Sequence, residues 1–203
     1  MKLWLVRHGQ TQANVDGLYS GFCETPLTEL GISQAEAVAD MLSQVAFSRV
    51  LCSERIRAQH TMQMILRQRE IPVVTDPRLN EMNFGDWEMR HHRDLQRLDA
   101  ENYAAWCSDW QHVIPKNGEG FQLFSRRVSE FCASLSTFPE EEKMLIVSHQ
   151  GVLSLLIATL LKMPPASLWH FVIEQGAWSC IEIRDGFTTL ITLNNRAIDL
   201  PAR

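Results

Sequence analysis

Apolar positions follow two patterns along the chain. Short runs without alternation, Leu3-Trp4-Leu5-Val6, Val50-Leu51-Cys52 within 49–53, and Met144-Leu145-Ile146-Val147, read as strands buried on both faces of a parallel sheet. Between them, apolar residues recur three and four apart. Ile32, Ala35, Val38, Leu42 and Val45 follow a candidate N-cap at Thr28, and Phe121, Phe124, Val128, Phe131 and Leu135 make a second stripe. A further helix is expected over about 55–69. The helix running through Leu161 is apolar nearly all round, which predicts a central position, and Pro164-Pro165 stops it. Val73-Val74-Thr75 is a short strand entered through Pro72. The last third reads as strands at 169–173, 178–183 and 188–193, with Asp185-Gly186 as a hairpin turn.

Strands alternating with helices, followed by a closing hairpin, imply an α/β fold: a three-layer α/β/α sandwich whose sheet is mostly parallel, with helices on both faces and an antiparallel edge. No linker or repeat divides the chain, so one domain over 1–203 is expected. Two stretches break the pattern. Residues 10–26 read as a long loop over the rim of the sheet, and loops of that length tend to be functional. Residues 89–110 are rich in His, Arg, Asp and Trp and are read as part of a helical insertion or lid at about 88–120.

The net charge of −5 disfavours nucleic acid or an anionic membrane as the partner of the whole surface, so an anion site would be a local basic pocket. Cys23, Cys52, Cys107, Cys132 and Cys180 are scattered and form no CxxC pair, which points to reduced thiols in a cytoplasmic protein and not to a disulfide framework or a zinc site. No segment reads as a signal peptide or a membrane span.

Three of the candidate parallel strands end in chemistry: Arg7-His8-Gly9; Ser53 with Arg57 one helical turn on; and Ser148-His149. Ligands of open α/β sheets sit outside the carboxyl ends of the strands, so adjacent strands would bring these residues together. Two arginines, two histidines and helix N-termini suit a dianionic phosphoryl group without a metal. Taken singly, each histidine is more simply a polar rim residue, and Arg57 a helix brace. His91-His92 with His112 read as solvated or substrate-facing and not as metal ligands, His60 as packing, Trp106 and Trp110 as one buried helix face, and Cys52 as a small core residue.

In their order and spacing these motifs resemble the histidine phosphatase superfamily. The matching stretches are Arg7-His8-Gly9 with Thr11 and Asn14; Pro26-Leu27-Thr28 with Gly31 and Gln34-Ala35; Ser53 with Arg57-Ala58 and Thr61; Asn80-Glu81 and Phe84-Gly85-Asp86-Trp87-Glu88; and Ser148-His149 with Gly151. The resemblance implies a cofactor-independent phosphomonoesterase working through phosphohistidine on a small-molecule phosphomonoester. His8 would be the nucleophile, Arg7, Arg57 and His149 would hold the phosphoryl oxygens, and Glu81 would serve as acid and then base. It further implies a pocket lined by Asn14, Ser20, Gly21 and the Gln150 backbone. Broad phosphatase or phosphoglycerate or sugar-phosphate mutase activity belongs to the same family, and an inactive phosphate-binding module is the reading of another class. Gln10 and Met89 depart from the commonest pattern, which has glutamate and glycine there. The runs 17–21, 80–94 (with His91-His92), 106–112 and 169–176 resemble one member of the family in particular, and these lie where substrate choice is expected.

Overall fold

The computed structural model describes residues 1–196. Its sheet has six strands, β1 (Lys2–Arg7), β2 (Arg49–Cys52), β3 (Val73–Thr75), β4 (Lys143–Ser148), β5 (Trp178–Arg184) and β6 (Phe187–Asn195), in the order β3-β2-β4-β1-β5-β6. The first four are mutually parallel, and β5 and β6 run antiparallel as the edge. The three strands that end in candidate chemistry are thus neighbours, with Arg7 paired in register to Ser148 and Cys52 to Val147.

Helices cover both faces. Leu3, Leu5, Met144 and Ile146 face α6 (Phe121–Ser134) and α7 (Gln150–Leu160), whereas Val6, Val50, Leu145 and Val147 face α2 (Glu29–Met41) and α3 (Ile56–Leu66). Alternate residues of each central strand feed opposite cores, which is why those strands read as unbroken apolar runs. The N-cap expectation at Thr28 holds, its hydroxyl accepting from the Gly31 N–H at 3.1 Å. Asp185 and Gly186 turn β5 into β6 at φ +51° and +72°, the left-handed pair a two-residue hairpin requires.

Two expectations are corrected. Residues 169–173 are not a strand: 165–170 form a 3₁₀ turn after Pro164 and 171–173 pass to irregular chain, because the segment packs on α7 and side chains take up its carbonyls, Asn194 of β6 donating to Val172 at 2.7 Å and Arg7 to Ile173 at 3.0 Å. The loop after His8 contains a short helix, α1 (Gln12–Val15), capped by Thr11. The stretch after β3 carries 3₁₀ turns at Pro77–Leu79 and Gly85–Trp87, then α4 (His92–Leu98) and α5 (Ala100–Ser108). These two helices enclose a small core of Trp87, Leu95 and Tyr103 with Tyr19, Phe84 and Trp106. Trp87 pins it by donating from Nε1 to Asp99 at 2.8 Å.

Candidate active site

His8 and His149 leave the carboxyl ends of adjacent strands and meet with ring centroids 5.1 Å apart, 4% and 1% exposed. Their tautomers follow from their hydrogen bonds. The Gly9 carbonyl lies 2.7 Å from His8 Nδ1 and can only accept, so Nδ1 carries the proton and Nε2 keeps its lone pair. At His149 the assignment runs through three residues. Asn80 Oδ1 accepts from the Glu54 N–H at 2.9 Å while Asn80 Nδ2 donates to Glu54 Oε2 at 2.7 Å. Ser53 therefore donates its hydroxyl proton to that same Asn80 oxygen, at 2.8 Å, and accepts from His149 Nε2–H, also at 2.8 Å. His149 Nδ1 is left buried without a partner among the described residues.

Arg57, the second residue of α3, is 1% exposed, and the loop 20–23 orients it: Nη1 donates to the Cys23 carbonyl and Nη2 to those of Ser20 and Gly21. Its Nε is a buried donor that has no partner among the described residues. A buried donor left unsatisfied costs about 1–3 kcal/mol, so the Arg57 Nε–H in this cationic cluster points to an anionic ligand. Arg7 reaches the start of α7 and donates from Nη1 to Gln150 Oε1 and the Ile173 carbonyl. Burial, with Arg57 and Arg7 nearby, pushes His8 well below the usual imidazole range, and burial with Arg57, His8, Arg7 and Arg127 does the same to His149.

Glu81 stands on the other side of the cluster. Its carboxylate accepts from its neighbour Met82 N–H and from the Gly151 N–H at the start of α7, both at 3.0 Å. A Cβ on Gly151 would come within 2.6 Å of the Glu81 carboxylate, so glycine is required for this approach. Beyond Glu81 opens a chamber of about 410 Å³ lined by Tyr19, Met82, Phe84, Trp106, Trp110, Phe121, Phe124, Leu168 and Trp169, with Gln150, Gly151 and Ser154 beside Glu81, which is its one charged side chain among the described residues.

The structure thus brings Arg7, His8, Arg57, Glu81 and His149 to one end of the sheet. Of the expected pocket residues, Asn14 Oδ1 accepts from Thr11 and from Gln175 Nε2, which leaves its amide nitrogen as the end with capacity to donate. Ser20 and Gly21 act through carbonyls on Arg57, and Ser20 Oγ is a further buried atom without a partner among the described residues. The Gln150 side chain braces Arg7, Ile173, Ser154 and Phe171, so only its backbone remains for a ligand. Trp106 and Trp110 do not form one helix face: α5 ends at Ser108, and Trp110 packs on Phe121 and Trp169 while Trp106 joins the Trp87 core, because the chain turns after the helix. His91 caps α4 and His112 pairs with Asp109, both away from the cluster. Glu88 carries more structure than its motif suggested. It accepts from the N–H groups of Gly21, Phe22, Cys23 and Phe84, and so fixes the loop that grips Arg57. A lone glutamate gives no local signal of partners more than sixty residues away.

A family model for the histidine phosphatase superfamily (branch 1) matches residues 3–196. The chain is 61% identical over 198 residues to the adenosylcobalamin/alpha-ribazole phosphatase of Escherichia coli K12, spanning 98% of each chain. It is likewise 61% identical over 201 residues to the protein of the same name from Salmonella typhimurium, covering 99% of this chain and 100% of that one. Among solved structures, the alpha-ribazole phosphatase from Shigella flexneri superposes with a TM-score of 0.95 at 61% identity over 100% of both chains.

Proposed function

We propose, from the premise that the chain belongs to branch 1 of the histidine phosphatase superfamily and is a phosphatase, that it removes the phosphate from alpha-ribazole 5'-phosphate in cobalamin biosynthesis. The observation that carries the substrate is the apolar, aromatic chamber that opens from Glu81, on the side where the alcohol half of a phosphomonoester would lie. An aromatic base fits such walls, whereas the carboxylate of a phosphoglycerate would meet no cation there among the described residues. The names of the relatives at 61% identity support the same substrate, as do the runs 17–21, 80–94, 106–112 and 169–176. The free thiols of all five cysteines support a cytoplasmic setting.

In the proposed reaction His8 Nε2 attacks phosphorus. An N–P bond forms as the ester P–O bond breaks, and the departing oxygen takes a proton from Glu81. Arg57 Nε and Arg7 stabilise the equatorial oxygens, and His149 joins them by taking a proton from solvent on Nδ1 as the dianion binds and offsets the neighbouring cations, and returns it to solvent when phosphate leaves. In the second half the Glu81 carboxylate takes a proton from water, whose oxygen attacks phosphorus. The N–P electron pair returns to Nε2, and inorganic phosphate leaves with Glu81 protonated again. No cofactor enters either half.

Phosphate release from a panel of alpha-ribazole 5'-phosphate, nucleoside monophosphates, phosphoglycerates and sugar phosphates tests this reading. Burial of the aromatic base is expected to favour the ribazole ester in kcat/KM by about 10- to 100-fold. His8→Ala is expected to abolish turnover of every member. A flat panel would remove the substrate, and activity surviving in His8→Ala would remove the nucleophile.

A further inference from the structure

Arg127, on α6, stands outside the catalytic motifs, and each of its five guanidinium N–H groups has its own acceptor. Nε and one Nη2 proton go to the two oxygens of Glu119, at 2.7 and 2.8 Å. The other three go to main-chain carbonyls of one short segment: Nη1 to Arg78 at 2.9 Å and Asn80 at 2.7 Å, and Nη2 to Glu81 itself at 3.0 Å. Glu119 grips the same segment from its far end, its N–H donating to the Asn83 carbonyl at 2.7 Å and its carboxylate accepting from the Asn83 N–H at 3.3 Å. Both side chains are nearly buried, at 15% and 9% exposed.

The segment 80–83 has no regular structure of its own, so nothing in a helix or ladder holds the Glu81 backbone. A planar fork that satisfies a carboxylate on one edge and carbonyls on the other fixes position and orientation together, which an ammonium could not do. Arg127 also lies over the ring of Phe124, 4.8 Å from its centroid, and Phe124 is a wall of the chamber. One side chain therefore ties the backbone of the acid to the wall that meets the leaving group.

We propose that Arg127, clamped by Glu119, is the positioning residue that aims the Glu81 carboxyl at the departing oxygen. The proposal rests on Glu81 being the general acid. Its signature is chemical, because a misaimed acid slows the loss of a basic leaving group and spares one that departs without a proton.

The experiment measures kcat/KM of the full chain for phenyl phosphate and 4-nitrophenyl phosphate, alike in shape and unlike in the basicity of the departing oxygen. kcat/KM reports the first transfer alone, before Glu81 acts as base. Glu81→Gln is expected to lose about 100-fold on phenyl phosphate and less than about threefold on the nitrophenyl ester. Arg127→Lys keeps the charge and loses the fork. It is expected to show the same selectivity at about tenfold, within the roughly 100-fold that a misplacement near 1 Å costs. In the Glu81→Gln background Arg127→Lys should add nothing further, since the two act through one proton. Removing Arg127 alone would strand a buried carboxylate, so Glu119→Gln with Arg127→Met is the second variant, free of any unpaired charge and expected to match Arg127→Lys in selectivity. Equal losses on both esters in Glu81→Gln would overturn the acid reading itself. Selective loss there, with unselective or absent loss in both Arg127 variants, would overturn the positioning role alone.

Discussion

The imidazole of His8 is held neutral by burial and by the charges of Arg57 and Arg7, with only the Gly9 carbonyl pulling the other way, and His149 is depressed for the same reasons. An unfolded chain protonates its histidines near pH 6.5, whereas these two stay neutral to well below that. Between those points the unfolded state binds more protons, so the stability present above about pH 6.5 is lost as pH falls towards the folded values. Melting temperature is expected to drop from pH 7 to pH 5, and to drop less steeply in His8→Gln, which has one such site fewer. Identical slopes would show that His8 is not held neutral. His8, His149, Arg57 and Glu81 were all legible as residues. Their protonation was not, because a tautomer depends on partners such as Gly9, Ser53 and Asn80 that only the folded backbone brings near.

At the scale of elements, the sheet could be read directly from unbroken apolar runs and the helices from their stripes, since both periodicities are local. The insertion was legible as helical over about 88–120, but not in the number of its helices or in what holds them. α4 and α5 are short, and what holds them is an aromatic core shared with Tyr19 and Phe84 from elsewhere in the chain. The expected strand at 169–173 fails for a related reason: Trp169 to Ile173 have strand-like residues, but they follow a 3₁₀ turn and their neighbour is α7. That turn delivers Trp169, 65% exposed and edge-on to Trp110, to the chamber. Trp169→Ala removes one aromatic contact of about 0.5–1.5 kcal/mol, so KM for alpha-ribazole 5'-phosphate should rise about 2- to 10-fold. Inhibition by inorganic phosphate should stay the same. An unchanged KM would place the leaving group elsewhere. Met89, where the family more often has glycine, takes φ +59° in the turn that pairs with Tyr19, which explains the common glycine.

For the whole molecule, a chain of net charge −5 gathers Arg7, Arg57 and two histidines at one edge, so the folded form is poised for an anion it does not itself supply. Binding to the native state alone stabilises it by mass action, about 2.7 kcal/mol at a ligand concentration 100 times Kd. For a domain of this size that is a rise in Tm of about 5–10 °C. Inorganic phosphate or vanadate should produce this shift in the presence of excess chelator, and Arg57→Ala should lose most of it. A shift that requires a divalent ion would overturn the cofactor-free reading.

The sequence by itself determined the central strands and the helices that cover them, the family, and the identity of the residues at the carboxyl ends of β1, β2 and β4, because all of these are written in contiguous motifs and local periodicity. Only the tertiary structure decided that β2, β4 and β1 are neighbours, that Ser53 and Asn80 set the His149 tautomer, that Glu88 braces the Arg57 loop and Arg127 the Glu81 segment, and that aromatics from five separate stretches close one chamber. Those are pairings between residues tens of positions apart. Hydrogen-bond geometry and packing select them after the chain has folded, and no spacing along it encodes them.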